Sequence, residues 1–145
     1  MNIPGKPLFP PEKLVRYPHL MVSDVAIWER YLERYAKEWD GFRYDVRVGE
    51  GLILPDGQPG YIKAMALALT EKRIDVVGEK GQEVWIIEVK PNAMLSAVGQ
   101  VLSYQVLFED RFPQSPKPEL MIVTDRKGPD LDNLAKKFRI SVFVV

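Results

Sequence analysis

The chain has 145 residues, 46% of them hydrophobic, with 20 basic and 20 acidic residues and a formal net charge of zero. This length predicts one domain with a substantial core, and the lack of cysteine excludes disulfides, thiol catalysis and cysteine-based zinc sites. The single histidine, His19, excludes a histidine cluster. No apolar run approaches the roughly 18 residues of a membrane span, and no leader-like segment opens the chain. We therefore expect a cytoplasmic protein with no membrane partner.

Residues 1–22 hold five of the twelve prolines and are predicted to form an extended N-terminal arm. Residues 23–145 form the predicted single domain. Its first helix spans about 23–40, with Ser23 as the N-cap. Its apolar stripe consists of Val25, Trp28, Leu32, Tyr35 and Trp39. Glu29 flanks this stripe and is either a site residue that faces the sheet or part of a solvated surface.

A strand is predicted over 42–48 because apolar residues alternate there with Arg43, Asp45 and Arg47. Residues 52–60 contain two turn signals and are predicted to be a loop or a short hairpin. Residues 61–70 fit either a helix or a strand. We prefer a strand because no breaker separates this segment from the next predicted strand, 73–77.

The strand predicted over 84–90 is rich in β-branched and aromatic residues and ends at Pro91. Alternate side chains share a face, so Glu88 and Lys90 lie on the same face. Because an unpaired buried charge is costly, this acid–base pair should have a function or a partner. The strand predicted over 73–77 precedes it and forms the other half of a hairpin.

The register of this hairpin decides where Asp75 lies. Pairing Asp75 with Glu88 leaves a four-residue loop at 80–83, which is an ordinary hairpin length. A turn centred two residues earlier would place Asp75 opposite Val84 instead. We prefer the first register because it brings two carboxylates together beside Lys90, which is an arrangement suited to Mg²⁺.

A long helix is predicted over about 93–112, and it places Gln100 and Tyr104 one turn apart on one face. This pair is either part of a site or a buried amide and phenol that satisfy each other. The remaining predicted elements are a strand at 120–124, a helix at 129–139 and a strand at 141–145.

The predicted order is α-β-β-β-α-β-α-β, with a crossover helix between two parallel strands. This order predicts the α/β class, with a mixed central sheet flanked by helices on both faces.

Asp75, followed by Glu88-Val89-Lys90 at the end of a hydrophobic strand, resembles the PD-(D/E)XK nuclease superfamily. Gln100 and Tyr104 resemble the Q-x-x-x-Y signature of its RecB-type and resolvase-like branches. The residue before Asp75 is isoleucine, where the superfamily often has proline. The resemblance implies a restriction-endonuclease-like core over residues 23–145 and a Mg²⁺- or Mn²⁺-dependent endodeoxyribonuclease activity.

The resemblance also implies roles for individual residues. Asp75, Glu88 and the carbonyl of Val89 would hold the metal ion. Lys90 would assist the water that attacks the phosphorus. Glu29 would add a carboxylate from the first helix to the catalytic set.

DNA is the partner that the resemblance implies, together with a role in repair or recombination. The residues expected to contact DNA are Arg43, Arg47, Lys72, Arg73, Gln100 and Tyr104, of which the last two also belong to the catalytic set. A stand-alone nonspecific DNA binder is usually basic, so the neutral net charge favours a homodimer or a local basic patch. The alternative function is a non-catalytic nucleic-acid-binding or assembly module that retains the nuclease fold. A hydrolase of small phosphoesters is a third possibility, for which the sequence has no pocket signature.

Overall fold

The computed structural model describes residues 2–145, except for the side chain of Ala68, and within them it contains five strands, four α-helices and a short 3₁₀ helix, Ala36–Glu38. Met1, the first residue of the predicted arm, lies outside the described residues. The helices are α1 (Val22–Tyr35), α2 (Gly60–Thr70), α3 (Leu95–Arg111) and α4 (Leu131–Lys137). The strands are β1 (Gly41–Val48), β2 (Lys72–Lys80), β3 (Glu83–Val89), β4 (Glu119–Thr124) and β5 (Ile140–Val144). Within this described part, no helix is long and apolar enough to cross a membrane.

The five strands form one mixed sheet in the order β1-β2-β3-β4-β5. The first three strands pair antiparallel, and β3, β4 and β5 pair parallel. Parallel neighbours need a crossover connection, which α3 and α4 supply. The predicted α/β class with a mixed sheet is therefore confirmed.

Apolar side chains cover both faces of the sheet. The face under α3 and α4 carries the α3-side core, whose members include Val46, Ile74, Ile86, Val101, Phe108, Ile122 and Leu131. The face under α1 carries the α1-side core, whose members include Trp28, Tyr31, Trp39, Phe42, Tyr44, Val76 and Ile87. Helices thus lie on both faces, as predicted.

The β2–β3 hairpin has the register that was preferred from the sequence. Val76 pairs with Ile87 and Lys80 pairs with Glu83, and extending this register places Asp75 opposite Glu88. The strands continue to Lys80 and Glu83, so the turn contains two residues, whereas four were predicted. Gly81, with φ of 60°, accommodates this turn.

The alternation of side chains changes phase where Asp45 and Asp75 meet in β1 and β2. Tyr44 belongs to the α1-side core, yet Val46, two residues later, belongs to the α3-side core. In a regular strand these two side chains would share a face. Asp45 has a positive φ of 56°, and this unusual backbone conformation allows β1 to change which face its following side chains point to.

The segment 61–70 is helical, so the preference for a strand was wrong. β1 pairs directly with β2, which leaves a strand between them without a place in the sheet. Alanine, methionine and leucine instead favour the helix α2. This helix also changes the element order from the predicted one.

The N-terminal segment packs onto the body along the edge of the sheet. Phe9 exchanges two backbone hydrogen bonds with Phe42, at 2.8 and 2.9 Å, which covers the outer edge of β1. Tyr17 is buried in the α1-side core. Helix α1 begins at Val22, so the predicted cap at Ser23 was wrong.

Candidate functional site

Asp75 lies in β2 at the point where the alternation of side chains between the two faces changes phase. At this position the Asp75 side chain, rather than a backbone carbonyl, contacts the backbone of β3. Its Oδ2 accepts a hydrogen bond of 3.1 Å from the backbone N–H of Val89. The contact ties β2 to the end of β3, next to Glu88. Asp75 as a whole residue is half-buried.

Glu88 projects toward the α3-side core and is only 6% exposed. Its Oε2 is buried and has no hydrogen-bond partner within the described part of the chain. A buried polar atom without a partner is rare and requires an explanation, such as a functional role or an ion. Glu88 is therefore the residue that most clearly departs from an ordinary core position.

The carboxyl groups of Asp75 and Glu88 lie opposite each other in β2 and β3, and the pKa of each is raised. Burial raises the pKa of Glu88, and the Asp75 charge raises it further, whereas Lys90 lowers it. Burial also raises the pKa of Asp75, and the Val89 N–H lowers it. The register places the two groups opposite each other, so ionising both brings like charges together. The pair therefore holds a proton at a pH where ordinary carboxyl groups have lost theirs.

Two further carboxylates act on this pair electrostatically. Asp24, in the first turn of α1, raises the pKa of both Asp75 and Glu88, and Asp45 raises that of Asp75. The Oδ2 of Asp24 accepts a hydrogen bond from Met21 N–H at 3.4 Å. Asp45 is itself neutralised, because Lys6 and Arg73 lie 3.3 and 3.4 Å from its oxygens.

Lys90, Gln100 and Tyr104 form a chain of contacts beside the carboxyl pair. The Nζ of Lys90 donates to Oε1 of Gln100 at 3.3 Å, and the Gln100 side chain lowers the pKa of the Tyr104 phenol one turn further along α3. Because the amide oxygen is used by Lys90, the amide NH₂ is the group available to Tyr104. Burial, followed by the charges of Glu88 and Asp75, raises the pKa of Tyr104 to about 12, so the phenol keeps its proton.

The structure thus brings together five of the residues that the sequence singled out, namely Asp75, Glu88, Lys90, Gln100 and Tyr104. Val89 stands between Glu88 and Lys90, with its N–H used by Asp75. No cluster of three or more Asp, Glu or His side chains able to hold a metal ion is found among residues 2–145. Mg²⁺ commonly uses one or two carboxylates and completes its shell with water and substrate oxygens. The unpartnered Glu88 oxygen and the adjoining Asp75 fit that donor set.

Glu29 does not join this group. It lies 3.7 Å from Nζ of Lys13 in the N-terminal arm, and it borders a surface groove with Val15 and Met21. The carboxylate of α1 that raises the pKa values of Asp75 and Glu88 is Asp24. The prediction of Glu29 as a site residue is therefore not supported by its position.

Most of the cations expected to contact DNA are engaged inside the protein. Arg43 is 5% exposed and bonds Glu79, so its guanidinium is engaged inside the protein. Arg47 pairs with Glu71 at 3.8 Å. Arg73 pairs with Asp45 at 3.4 Å and contacts the His19 ring at 3.0 Å. Lys72, at the start of β2, is exposed.

Sequence reasoning missed Asp24 as a neighbour of the site. An acidic residue in the first turn of a helix is ordinarily explained by the helix dipole. The sequence therefore offered no reason to expect that Asp24 also acts on Asp75 and Glu88. Locating Asp24 requires the position of α1 on the sheet, which no local pattern encodes.

No protein-family model matches the chain, and no curated protein matches it. A solved structure, "Crystal Structure of Protein of Unknown Function AF1548", aligns with a TM-score of 0.46 and 20% sequence identity. The alignment covers 70% of this chain and 47% of that chain, so this chain spans about half of that protein's length. A likeness of this degree carries no argument about function.

Proposed function

We propose that the protein is a metal-dependent nuclease that hydrolyses phosphodiester bonds in DNA. The observation that carries the proposal is the juxtaposition of the Asp75 and Glu88 carboxyl groups, with Lys90 beside them. Two carboxyl groups that are forced together with raised pKa values are typical of a functional site. A positively charged ion would offset the repulsion between the two carboxylates and so lower the cost of ionising both.

The residues present fit a hard divalent cation. Asp75, Glu88 and the carbonyl of Val89 would hold Mg²⁺ or Mn²⁺, and the unpartnered Oε2 of Glu88 is the oxygen that gains most from such an ion. When bound, the ion supplies an acidified water and stabilises charge that builds up on the phosphate.

Lys90, Gln100 and Tyr104 would act on the phosphate and the attacking water. The Lys90 ammonium would stabilise negative charge on the phosphoryl oxygens and orient the water. Gln100 holds this ammonium through its amide oxygen, and Tyr104 lies one turn further along α3. Gln100 therefore supports the position of Lys90.

The test is a cleavage assay on duplex, single-stranded and branched DNA with Mg²⁺, Mn²⁺ or EDTA. We expect metal-dependent cleavage that falls by about 10²–10³-fold in Lys90→Ala, the effect of removing one charge-stabilising donor. Lys117→Ala is the matched control, because this exposed lysine precedes β4, whose first residues lie at the opposite end of the sheet.

Calorimetric titration with Mn²⁺ separates the possible outcomes of that assay. Binding that is lost in Glu88→Gln, together with cleavage that is lost in Lys90→Ala, supports the proposal. Absence of both cleavage and Mn²⁺ binding in the wild-type protein contradicts it. Equal cleavage by the wild type and Lys90→Ala would remove the proposed role of this lysine.

A second candidate function is a nucleic-acid-binding or assembly module that retains this fold without catalysis. The internal pairing of Arg43, Arg47 and Arg73 favours the assembly form of this module over its nucleic-acid-binding form, since carboxylates of the chain itself engage these cations. The neutral net charge favours it as well. It leaves the unpartnered Glu88 oxygen without an explanation, so we place it second.

A further inference from the structure

Helix α2 and the loop before it expose a concentrated apolar surface. Tyr61, Met65 and Leu69 are 70%, 55% and 76% exposed, and Leu52 and Ile53 are exposed beside them. Soluble proteins seldom leave a contiguous apolar surface uncovered unless it binds a partner. Of the side chains that the structure describes, neither core includes one from α2.

The exposed residues of α2 form a stripe on a helix that is held to the body at one end. Tyr61, Met65 and Leu69 follow one another at intervals of four, which places them on one face of α2. At the C-terminal end of α2, the Thr70 hydroxyl accepts a hydrogen bond from the Leu52 N–H of the preceding loop. Glu71, the next residue, lies 3.8 Å from Arg47 and 3.3 Å from Arg111. The stripe is therefore presented by an anchored helix.

The small number of charged side chains on α2 excludes some of the partners that could bind an apolar stripe. Its one charged side chain, Lys63, bonds Asp56 at 3.2 Å. A nucleic acid requires several cations, and a helix that lies on a membrane surface carries lysine or arginine along its polar face. Because Lys63 is the single cation of α2 and is paired with Asp56, neither a nucleic acid nor a membrane surface fits this helix.

A second copy of the chain fits this stripe. An uncharged apolar face is complementary to itself, because two copies meet without opposing like charges. The formal net charge of zero also removes long-range repulsion between copies. Two-fold dimers, in which the same patch from both subunits meets, are the commonest protein oligomers.

We propose that α2 packs against α2 of a second copy, so that Tyr61, Met65 and Leu69 form the centre of a two-fold dimer. Leu52 and Ile53 would extend the contact at its rim. The inference goes beyond the proposed nuclease activity and does not depend on it. A helix of 11 residues presents a small contact area, so we expect a dissociation constant of roughly micromolar size.

The contact would form at the end of the sheet that carries the carboxyl pair. α2 connects the end of β1 to the start of β2, three residues before Asp75, and β3 ends at Val89 on the same side. A dimer built on α2 therefore joins the two copies at the ends of their sheets that hold Asp75 and Glu88.

Sedimentation velocity of the full chain, without metal ion or nucleic acid, tests this dimer from about 1 to 200 μM, a range that brackets a micromolar dissociation constant. We expect concentration-dependent dimerisation of the wild type and a dissociation constant at least tenfold higher for Met65→Glu. Val106→Glu, on α3, is the matched control because Val106 is an exposed apolar residue, at 59%, outside this surface. Thermal unfolding of each variant verifies that it folds.

A lone cysteine gives a second readout, since the natural chain has none. Met65→Cys should form a disulfide-linked dimer under mild oxidation, because the two central residues of a two-fold contact approach each other closely. Val106→Cys should remain monomeric on the same gel. A wild type that stays monomeric throughout, Met65→Glu that dimerises as the wild type does, or equal cross-linking of both cysteine variants would overturn the proposal.

Discussion

The two cores on opposite faces of the sheet differ in how they treat their polar atoms. On the α1 side, Trp28 Nε1 donates to the Tyr44 hydroxyl and Trp39 Nε1 donates to the Tyr31 hydroxyl, both at 3.1 Å. On the α3 side, Glu88 keeps a buried oxygen with no partner within the described residues. The first face contains satisfied aromatic side chains, and the second contains a carboxyl pair that resists ionisation.

This difference shows where the fold is optimised for stability and where it is not. A buried hydrogen bond between partners contributes modestly, but a buried polar group without a partner costs about 1–3 kcal/mol. The α1-side core avoids that cost, whereas the α3-side core accepts it at Glu88. Such a local cost is expected where a site is kept ready for a ligand.

The largest expected effect is on the α1-side core. Trp28 is fully buried, stacks on Tyr31 at a ring-centroid distance of 5.2 Å and meets the edge of Phe42 at 4.9 Å. Trp28→Ala should lower the free energy of unfolding by about 3–5 kcal/mol, measured by urea denaturation. Trp85→Ala, at a half-buried position on the same face, should cost clearly less. Equal losses for both variants would show that this core is not the main source of stability.

The second effect is a pH dependence that comes from the α3 side. Because burial raises the pKa values of Asp75 and Glu88 in the folded protein, that state binds more protons than the unfolded chain above about pH 4. The stability of the metal-free protein should therefore fall as the pH rises from about 4 through neutrality, and level off above the folded pKa values.

Glu88→Gln sharpens this test, because it removes the group that must lose its proton. The variant should be more stable than the wild type at alkaline pH, by about 1–3 kcal/mol, and nearly equal to it at pH 4. Glu83→Gln, at the exposed start of β3, is the matched control and should follow the wild-type curve. Chemical denaturation at several pH values, with EDTA present, measures the difference. Parallel curves for wild type and Glu88→Gln would mean that Glu88 ionises normally.

The smallest effect compares one phenol from each face. Tyr31→Phe removes the acceptor of the buried Trp39 N–H and should cost about 1–2 kcal/mol in the free energy of unfolding. Tyr104→Phe should cost about 0.5 kcal/mol or less, because its partner Gln100 is half-buried and can bond water instead. The same urea series compares the two. A larger cost at Tyr104 would reverse the proposed contrast between the faces.

Local patterns predicted much of this fold. The alternation in β1, the β-branched run of β3 and the long apolar helix α3 were each placed within about two residues of their observed bounds. The hairpin register, which positions Asp75 beside Glu88, also followed from the sequence. These features depend on periodicity and on pairing between strands that are adjacent in the chain.

Other features depend on contacts between distant segments, and the sequence did not predict them. The segment 61–70 became α2 because the direct pairing of β1 with β2 leaves no sheet position for it. Arg43 is an interior ion-pair partner because the register places it near Glu79 across the β1–β2 pair. Asp24, rather than Glu29, acts on the carboxyl pair because of how α1 sits on the sheet.

The sequence by itself determined the α/β class, because the periodicity of each element acts through local geometry. The hairpin register was preferred for the chemistry of Asp75, Glu88 and Lys90, and the set that adds Gln100 and Tyr104 rested on a resemblance. Only the tertiary structure decided which charges are neutralised inside the protein, where the strand alternation changes phase, and that one Glu88 oxygen is left without a partner. Those outcomes depend on burial and on contacts between residues far apart in the chain, since burial sets the cost of each charge and the distant partner sets whether it is offset.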